Sequence, residues 1–304
     1  MRRLRSRFAA TAVMVLAFAL AGCGSQDEPG RAVAGVTTIS SGGTAVKVAV
    51  ATDFDPARFS DPTTVDNQWF PLKPGTQLTY EGSAIADEER IARKVVFTVT
   101  DLTKTISGVR AVVGWDRDYN DGRLVEPELV FFAQDDDGNV WTLGQYPEEY
   151  EDGKFVAAPA WIVGLEGAKA GLVMRAAPRP GTSDYSQGLG PAVEYADRAK
   201  VRKLGERTCV PTGCYEDVLV TEEWDQADPA ARQLKYYANG VGNVRVGWAG
   251  RDEEKEVLEL TRVAQLGPTA LAEVRRAVLK LEQRAYKVSK DLYGRTPPAE
   301  QAPG

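Results

Sequence analysis

From about residue 82 to Leu266 the apolar positions recur at every second residue. In KVVFTVT, Val95, Phe97 and Val99 share one face; in VRAVVGW so do Val109, Ala111, Val113 and Trp115. A period of two is the signature of a strand with a buried face. RLVEPELVFFAQ, NVWTLG, YEDVLVTEEW, RQLKYYA, VGNVRVGW and KEVLELTRV continue it. Asn120-Asp121-Gly122, Asp137-Gly138 and Asn239-Gly240 separate these runs, and the last is a type I′ hairpin signal. Short strands joined by such turns predict a mainly β fold. The expected body, 60–266, is one large antiparallel meander that curls into a curved sheet, half-barrel or sandwich to protect its apolar face.

Two segments break the pattern. Residues 152–192 are rich in Gly and Pro, with strands that are short at best. They read either as binding loops over a β scaffold or as a cap on one end of its core. After Pro268-Thr269 the period changes: Leu271, Val274, Val278, Leu281, Ala285, Val288 and Leu292 recur at alternating steps of three and four. This predicts an amphipathic helix over 268–294. Thr269 and Glu273 approximate a capping pair, and Gly294 with Pro297-Pro298 supplies the stop. Residues 295–304 read as a disordered tail. The helix seam is expected to pack on its own body, on a second copy or on a partner. It carries seven basic residues through Arg295 against three acids, which suits an acidic surface, its own body included.

The N-terminus is an address. Arg2, Arg3, Arg5 and Arg7 precede an apolar run, Phe8 to Leu20, shorter than the roughly 20 residues that span a bilayer. Leu20-Ala21-Gly22-Cys23 resembles a bacterial lipobox. The resemblance implies diacylglycerol on the Cys23 sulfur and cleavage between Gly22 and Cys23, with 1–22 as the signal peptide. An ordinary signal peptide or an anchor helix with an incidental cysteine is the alternative. Two acyl chains would moor the protein stably where one holds only marginally. Residues 23–59 then form the lipidated cysteine and a flexible Gly/Ser/Thr-rich stalk, whose last part, 45–51, is either strand or stalk.

Charge narrows the partners. Losing residues 1–22 takes four arginines and no acid from a total of 37 basic and 43 acidic residues, leaving a net charge of −10. That excludes a nucleic-acid partner, which needs a basic footprint. With Cys23 assigned to lipid, Cys209 and Cys214 remain; outside the cytosol they are expected to bridge across the Pro211-Thr212-Gly213 turn. A redox-active pair is the competing reading, but it lacks the CxxC spacing.

The chain contains no histidine. Ser-His-Asp and Cys-His catalysis and histidine-built zinc sites are therefore impossible. No GxGxxG or P-loop pattern occurs, and no cofactor is expected. Oxygen-rich turns offer weak calcium candidates, Asp116, Asp118 and Asn120 in one and Asp135 and Asp137 in the other, against the simpler reading as turn residues. Trp115, Trp141, Trp161, Trp224 and Trp248 are either core residues or the aromatic lining of a pocket.

DNQWFPLKPGTQLTYEG, AQDDDGNVW, GAKAGLVM and KYYANGVGNV, in that order, resemble a family of uncharacterised exported bacterial β proteins. Its members show Asn-Pro-Tyr-Phe-Pro-Leu-x-Pro-Gly early and a Tyr-Tyr-Ala-Pro-Gly-Val-Gly-like turn late. The likeness covers roughly 60–265. This chain departs at Gln68-Trp69, at Asn239 where proline is usual, and at Asn243 where an apolar residue is usual. The last hairpin also resembles, more loosely, half-barrel carriers of lipoprotein or lipid. The resemblance implies no catalytic residues.

The expectation is a membrane-anchored, non-catalytic lipoprotein that binds a hydrophobic ligand or an envelope protein. The alternatives are a carboxylate-dependent hydrolase of wall glycan and a purely structural dimer. Labelled palmitate fed to cells is expected to enter the protein and to be lost on Cys23→Ser. An unlabelled protein with its leader intact would remove the anchor from this picture.

Overall fold

The computed structural model describes residues 36–41, 44–49 and 54–302. Strands β1 (Val36–Ser41) and β2 (Thr44–Ala49) form a two-stranded antiparallel sheet of their own, inside the stretch read as stalk. The first half of the body is a meander: β3 (Thr76–Ala86), β4 (Glu89–Ile106), β5 (Val109–Asn120), β6 (Arg123–Gln134) and β7 (Val140–Pro147). A small separate hairpin follows, β8 (Glu149–Glu151) with β9 (Lys154–Ala157), and then the short strands β10 (Trp161–Ile162) and β11 (Gly171–Met174). The second half runs through β12 (Tyr185–Gly190), β13 (Tyr195–Val210), β14 (Gly213–Asp225), β15 (Ala231–Ala238), β16 (Gly242–Gly250) and β17 (Val257–Gln265). Helices α1 (Pro268–Val288) and α2 (Lys290–Tyr293) and a last strand, β18 (Glu300–Gln301), complete the chain.

Pairing of β17 with β3 joins the two halves into one antiparallel path, β10-β7-β6-β5-β4-β3-β17-β16-β15-β14-β13-β12. This is the expected β architecture, nearly closed into a barrel. The remaining seam is bridged from the irregular middle segment. β11 pairs with β7, and Lys169, just before it, exchanges two backbone hydrogen bonds with Leu189 of β12 at 2.8 and 3.1 Å. Residues 152–192 therefore supply strands that close the sheet, in addition to loops.

Closure needs backbones to approach more closely than side chains allow. A Cβ on Gly171 would lie 2.0 Å from the Gln187 carbonyl carbon and from the Gly188 nitrogen. Trp161 lies against β12 where Cβ atoms on Gly188 and Gly190 would each come within 2.7 Å of its side chain. Its indole stacks on Tyr195 at 4.9 Å between centroids.

Register and alternating burial separate the faces. Leu78, Tyr80, Val95, Phe97, Val246, Leu258, Leu260 and Tyr237 turn inward and are buried. Val109, Ala111, Val113, Leu129 and Phe131 occupy the outer face, where helix α1 covers them with Val274, Val278, Leu281 and Ala285. The helix thus packs on its own body. Beneath it Lys104 donates to Glu282 Oε1 (2.8 Å), to Tyr286 Oη (3.2 Å) and to the Pro297 carbonyl (2.6 Å). Arg275 on Asp101 and Arg284 on Glu148 pin the helix at either side. Among the described residues no helix is long and apolar enough to cross a membrane.

Four details correct the sequence reading. The α1 N-cap is Gly267, with Pro268 in the first turn and no side-chain cap, so Thr269 does not serve. The helix breaks at Ser289; Val288 turns to solvent and Tyr293 goes inward instead, edge-on to Tyr146 and Tyr286. The tail is not wholly unstructured, because Glu300 and Gln301 pair with Thr103 and Leu102 of β4. The packed body also starts earlier than residue 60, since Phe54 and Phe59 lie against Trp141.

Gly171→Ala is expected to destabilise the fold by about 3 kcal/mol, because its methyl would strike backbone that cannot swing aside. Gly122→Ala, in an open turn at φ +78°, should cost only about 1 kcal/mol. Urea unfolding of both variants checks this, and equal losses would argue against a tight seam.

Candidate functional site

The seam carries a cleft of ≈ 200 Å³ on the side where α1 ends. Ala160, Trp161, Leu165, Ala168, Val288 and Leu292 give it an apolar lining, with Glu166, Lys290 and Asp291 among its polar residues. Its shape follows from three local causes. Tight turns close the 162–168 loop, with Leu165 donating to the Ile162 carbonyl and Ala168 to that of Leu165. Gly190 leaves room for Trp161. The helix break at Ser289 swings Leu292 back towards the sheet. Arg295 pairs with Glu166, linking the chain after α2 to the same loop.

A second concentration of chemistry lies on the inner face of β5 and β6. Asp116 stands directly opposite Glu128, and Asp118 opposite Glu126. Like charges in such pairs are destabilising. Asp116 and Glu128 are only 4% and 3% exposed. Arg93 compensates part of this wall: it bonds Asp118 at 2.7 Å and Glu256 at 3.3 Å, and also reaches Asn120. Glu128 Oε1 is buried with no donor among the described residues. Burial, then the Asp118 charge, pushes the Asp116 carboxyl up to about 7. Burial and neighbouring acids hold Glu126 and Glu128 well above the usual carboxylate range. Tyr80, raised first by burial and then by Asp116, stays protonated and donates to the Asn243 carbonyl at 2.7 Å.

The calcium expectation is corrected. Asp116, Asp118 and Asn120 belong to the barrel wall, whereas Asp135 and Asp137 lie in the β6–β7 turn. Asp135 accepts from the backbone N–H groups of Asp137 and Asn139, from the Asn139 amide and from Trp141 Nε1. Asp137 pairs with Arg58. Among the described residues no group of three acids or cysteines is arranged to hold a metal ion. In the β6–β7 turn, the turn chemistry that made the stretch resemble a calcium loop is what uses up the Asp135 oxygens.

The five tryptophans do not share a pocket. Trp161 alone lines the cleft. Trp141 is capped by Phe54 and Phe59, Trp115 is covered by Arg117, and Trp224 has Arg232 at 4.4 Å. Trp248 is 41% exposed. Alternation along strands scatters them over different faces, and only register shows which. Cys209 and Cys214 face each other across the β13–β14 hairpin and are bridged, with Cα atoms 4.0 Å apart. Gly22 and Cys23 lie outside the described residues. The inner acid wall was missed as a unit; the signal was present in Asp116 and Asp118 at a spacing of two, together with Glu126 and Glu128, on strands joined by one tight turn.

No family model matches the chain, and no curated protein matches it. Among the solved structures that share part of its backbone course are two from Bacteroides and Parabacteroides. One is of a proposed exported protein with a YmcC-like fold from Bacteroides fragilis NCTC 9343, 15% identical, covering 65% of this chain and 99% of its own, at a TM-score of 0.39. The other is of a proposed lipoprotein from Parabacteroides distasonis ATCC 8503, 12% identical with the same coverage and TM-score. At these identities the likeness concerns the fold alone.

The acid wall makes a signed prediction. A carboxyl held above its unfolded value of about 4 stabilises the fold while protonated and loses that contribution as pH rises through its folded value, about 7 for Asp116. Removing the uncompensated neighbour by Glu128→Gln should therefore raise the melting temperature at pH 8 by about 3 °C, near 1 kcal/mol for a domain of this size. The gain should shrink at pH 5. Melts at both pH values test this, and an identical shift at both would contradict it.

Proposed function

We propose that this chain is an extracytoplasmic protein moored to the bacterial cell membrane through lipid on Cys23, and that its body works by binding an envelope protein. The observation that carries the reading is the apolar cleft at the seam. At ≈ 200 Å³ it is smaller than the roughly 300–1,000 Å³ of typical small-molecule sites. It suits one apolar side chain presented by a partner better than a whole lipid. The inner face of the barrel, which would have to hold a larger hydrophobic ligand, carries bulky buried side chains such as Tyr80, Phe97, Phe132 and Tyr237.

Binding is also favoured over catalysis. The chain has no histidine, and the buried acids stand side by side on one wall instead of flanking a groove into which a glycan could pass. A dimer built on the α1 seam would first have to lift the helix off Lys104 and the outer face of β4 and β5. The lipobox residues and the net negative charge of the body support the mooring.

A photoreactive residue at Val288, which is exposed at the cleft rim, is expected to give one discrete crosslinked envelope protein in intact cells. Filling the cleft with Ala168→Trp should abolish that adduct while the fold melts normally. No adduct, or one indifferent to Ala168→Trp, would overturn the reading.

A further inference from the structure

The acid wall concentrates carboxyls on one inner face. Asp116, Asp118, Glu126 and Glu128 sit in two opposed pairs, with Glu256 beside them and Glu149 near Glu126. Among the described residues, Arg93 is shared between Asp118 and Glu256, and Lys235 bonds Glu223 at 2.7 Å and also acts on Glu128. Arg117 turns to the outer face, over the Trp115 ring. Among the described residues Asp116 accepts one hydrogen bond, from the adjacent Arg117 backbone N–H at 3.0 Å. Glu128 is buried with one oxygen, Oε1, that no donor among the described residues reaches. A buried carboxylate without a donor is costly, and departures of this kind from good local design are expected where a site is waiting for something.

The wall also shows what it can hold. Arg93 is a guanidinium held by a carboxylate of this wall, an amide oxygen and Glu256. The unsatisfied half offers the same chemistry again: carboxylate oxygens on an inner face, with half-buried Asp118 and Glu126 leaving one end open to solvent. No trio of these acids is grouped for a metal ion. A cation that brings its own directed N–H donors fits better than a spherical one.

We propose that the inner acid wall is a binding site for an organic cation, with an ammonium or guanidinium group received between Asp116, Glu126 and Glu128. It is separate from the seam cleft and does not rest on it. Because the carboxyls must ionise to receive the cation, binding tightens as pH rises, while Tyr80 beside Asp116 stays protonated; Arg93 and Lys235 are the cationic side chains that face the wall.

Spermidine titrated by calorimetry into the full chain in detergent tests this. The expected result is saturable one-site binding that is tighter at pH 8 than at pH 6. It should weaken at least tenfold in Glu128→Gln and in Asp116→Asn, and should be unchanged in Glu216→Gln, an exposed acid elsewhere. Either wall variant suffices, provided its melt shows a folded protein, and removing a buried charge favours that. Absence of saturable binding, or equal binding by both wall variants, would overturn the site. Calcium displacing spermidine at lower concentration than spermidine itself requires would overturn the organic cation in favour of a metal.

Discussion

Everything in this body depends on closing the sheet at one seam. A twelve-strand path left open would expose two edges and an inner face studded with buried acids and tyrosines. The seam closes because Gly171, Gly188 and Gly190 let backbone and indole approach where any Cβ would collide. Trp161 is the largest group placed there, and its stack on Tyr195 ties the short middle strands to the second half of the sheet. Exposed edges invite pairing with other chains, so closure also guards against association.

The helix depends on the same closure in another way. Its docking surface is the outer face of β4, β5 and β6, with Asp101 and Lys104 of β4 beneath it. Apolar contact supplies the area, while Lys104 sets the register. That side chain is fully buried, and it is satisfied by Glu282, Tyr286 and Pro297 together, with its ammonium 4.6 Å from the centre of the Tyr293 ring. Removing one partner of such a pair leaves a buried charge, which costs more than the pair contributes. The charge also explains why an acid, Glu282, lies on the buried side of an otherwise apolar seam.

The inner wall and the cleft show two uses of one architecture. The cleft is apolar and lies at the end of a helix, where strand, loop and helix break meet. The wall is polar and lies within the sheet, where directly opposed carboxylates depend on burial, protons and Arg93 to coexist. Ionising the wall weakens the barrel from inside, whereas filling the cleft touches only its rim.

Much was legible in the primary structure. Alternation in Val95–Val99 and Val109–Trp115 fixes strand type and face, Asn239-Gly240 marks its turn, and the three-four spacing from Leu271 marks the helix, because these are local periodicities. The disulfide follows from two cysteines flanking a tight turn. What only the tertiary structure decided is non-local. Residues 152–192 look like loop because strands of two or four residues have no period to display; they become strands when β7 and β12 offer edges. Asp116 reads as a turn residue or calcium candidate until register sets it opposite Glu128 on the inner face. Nothing local marks Lys104 as buried; the helix that covers it comes from the far end of the chain. Periodicity is carried by neighbours in the chain, but burial, charge pairing and closure depend on which distant strand arrives alongside, and no short stretch of sequence carries that information.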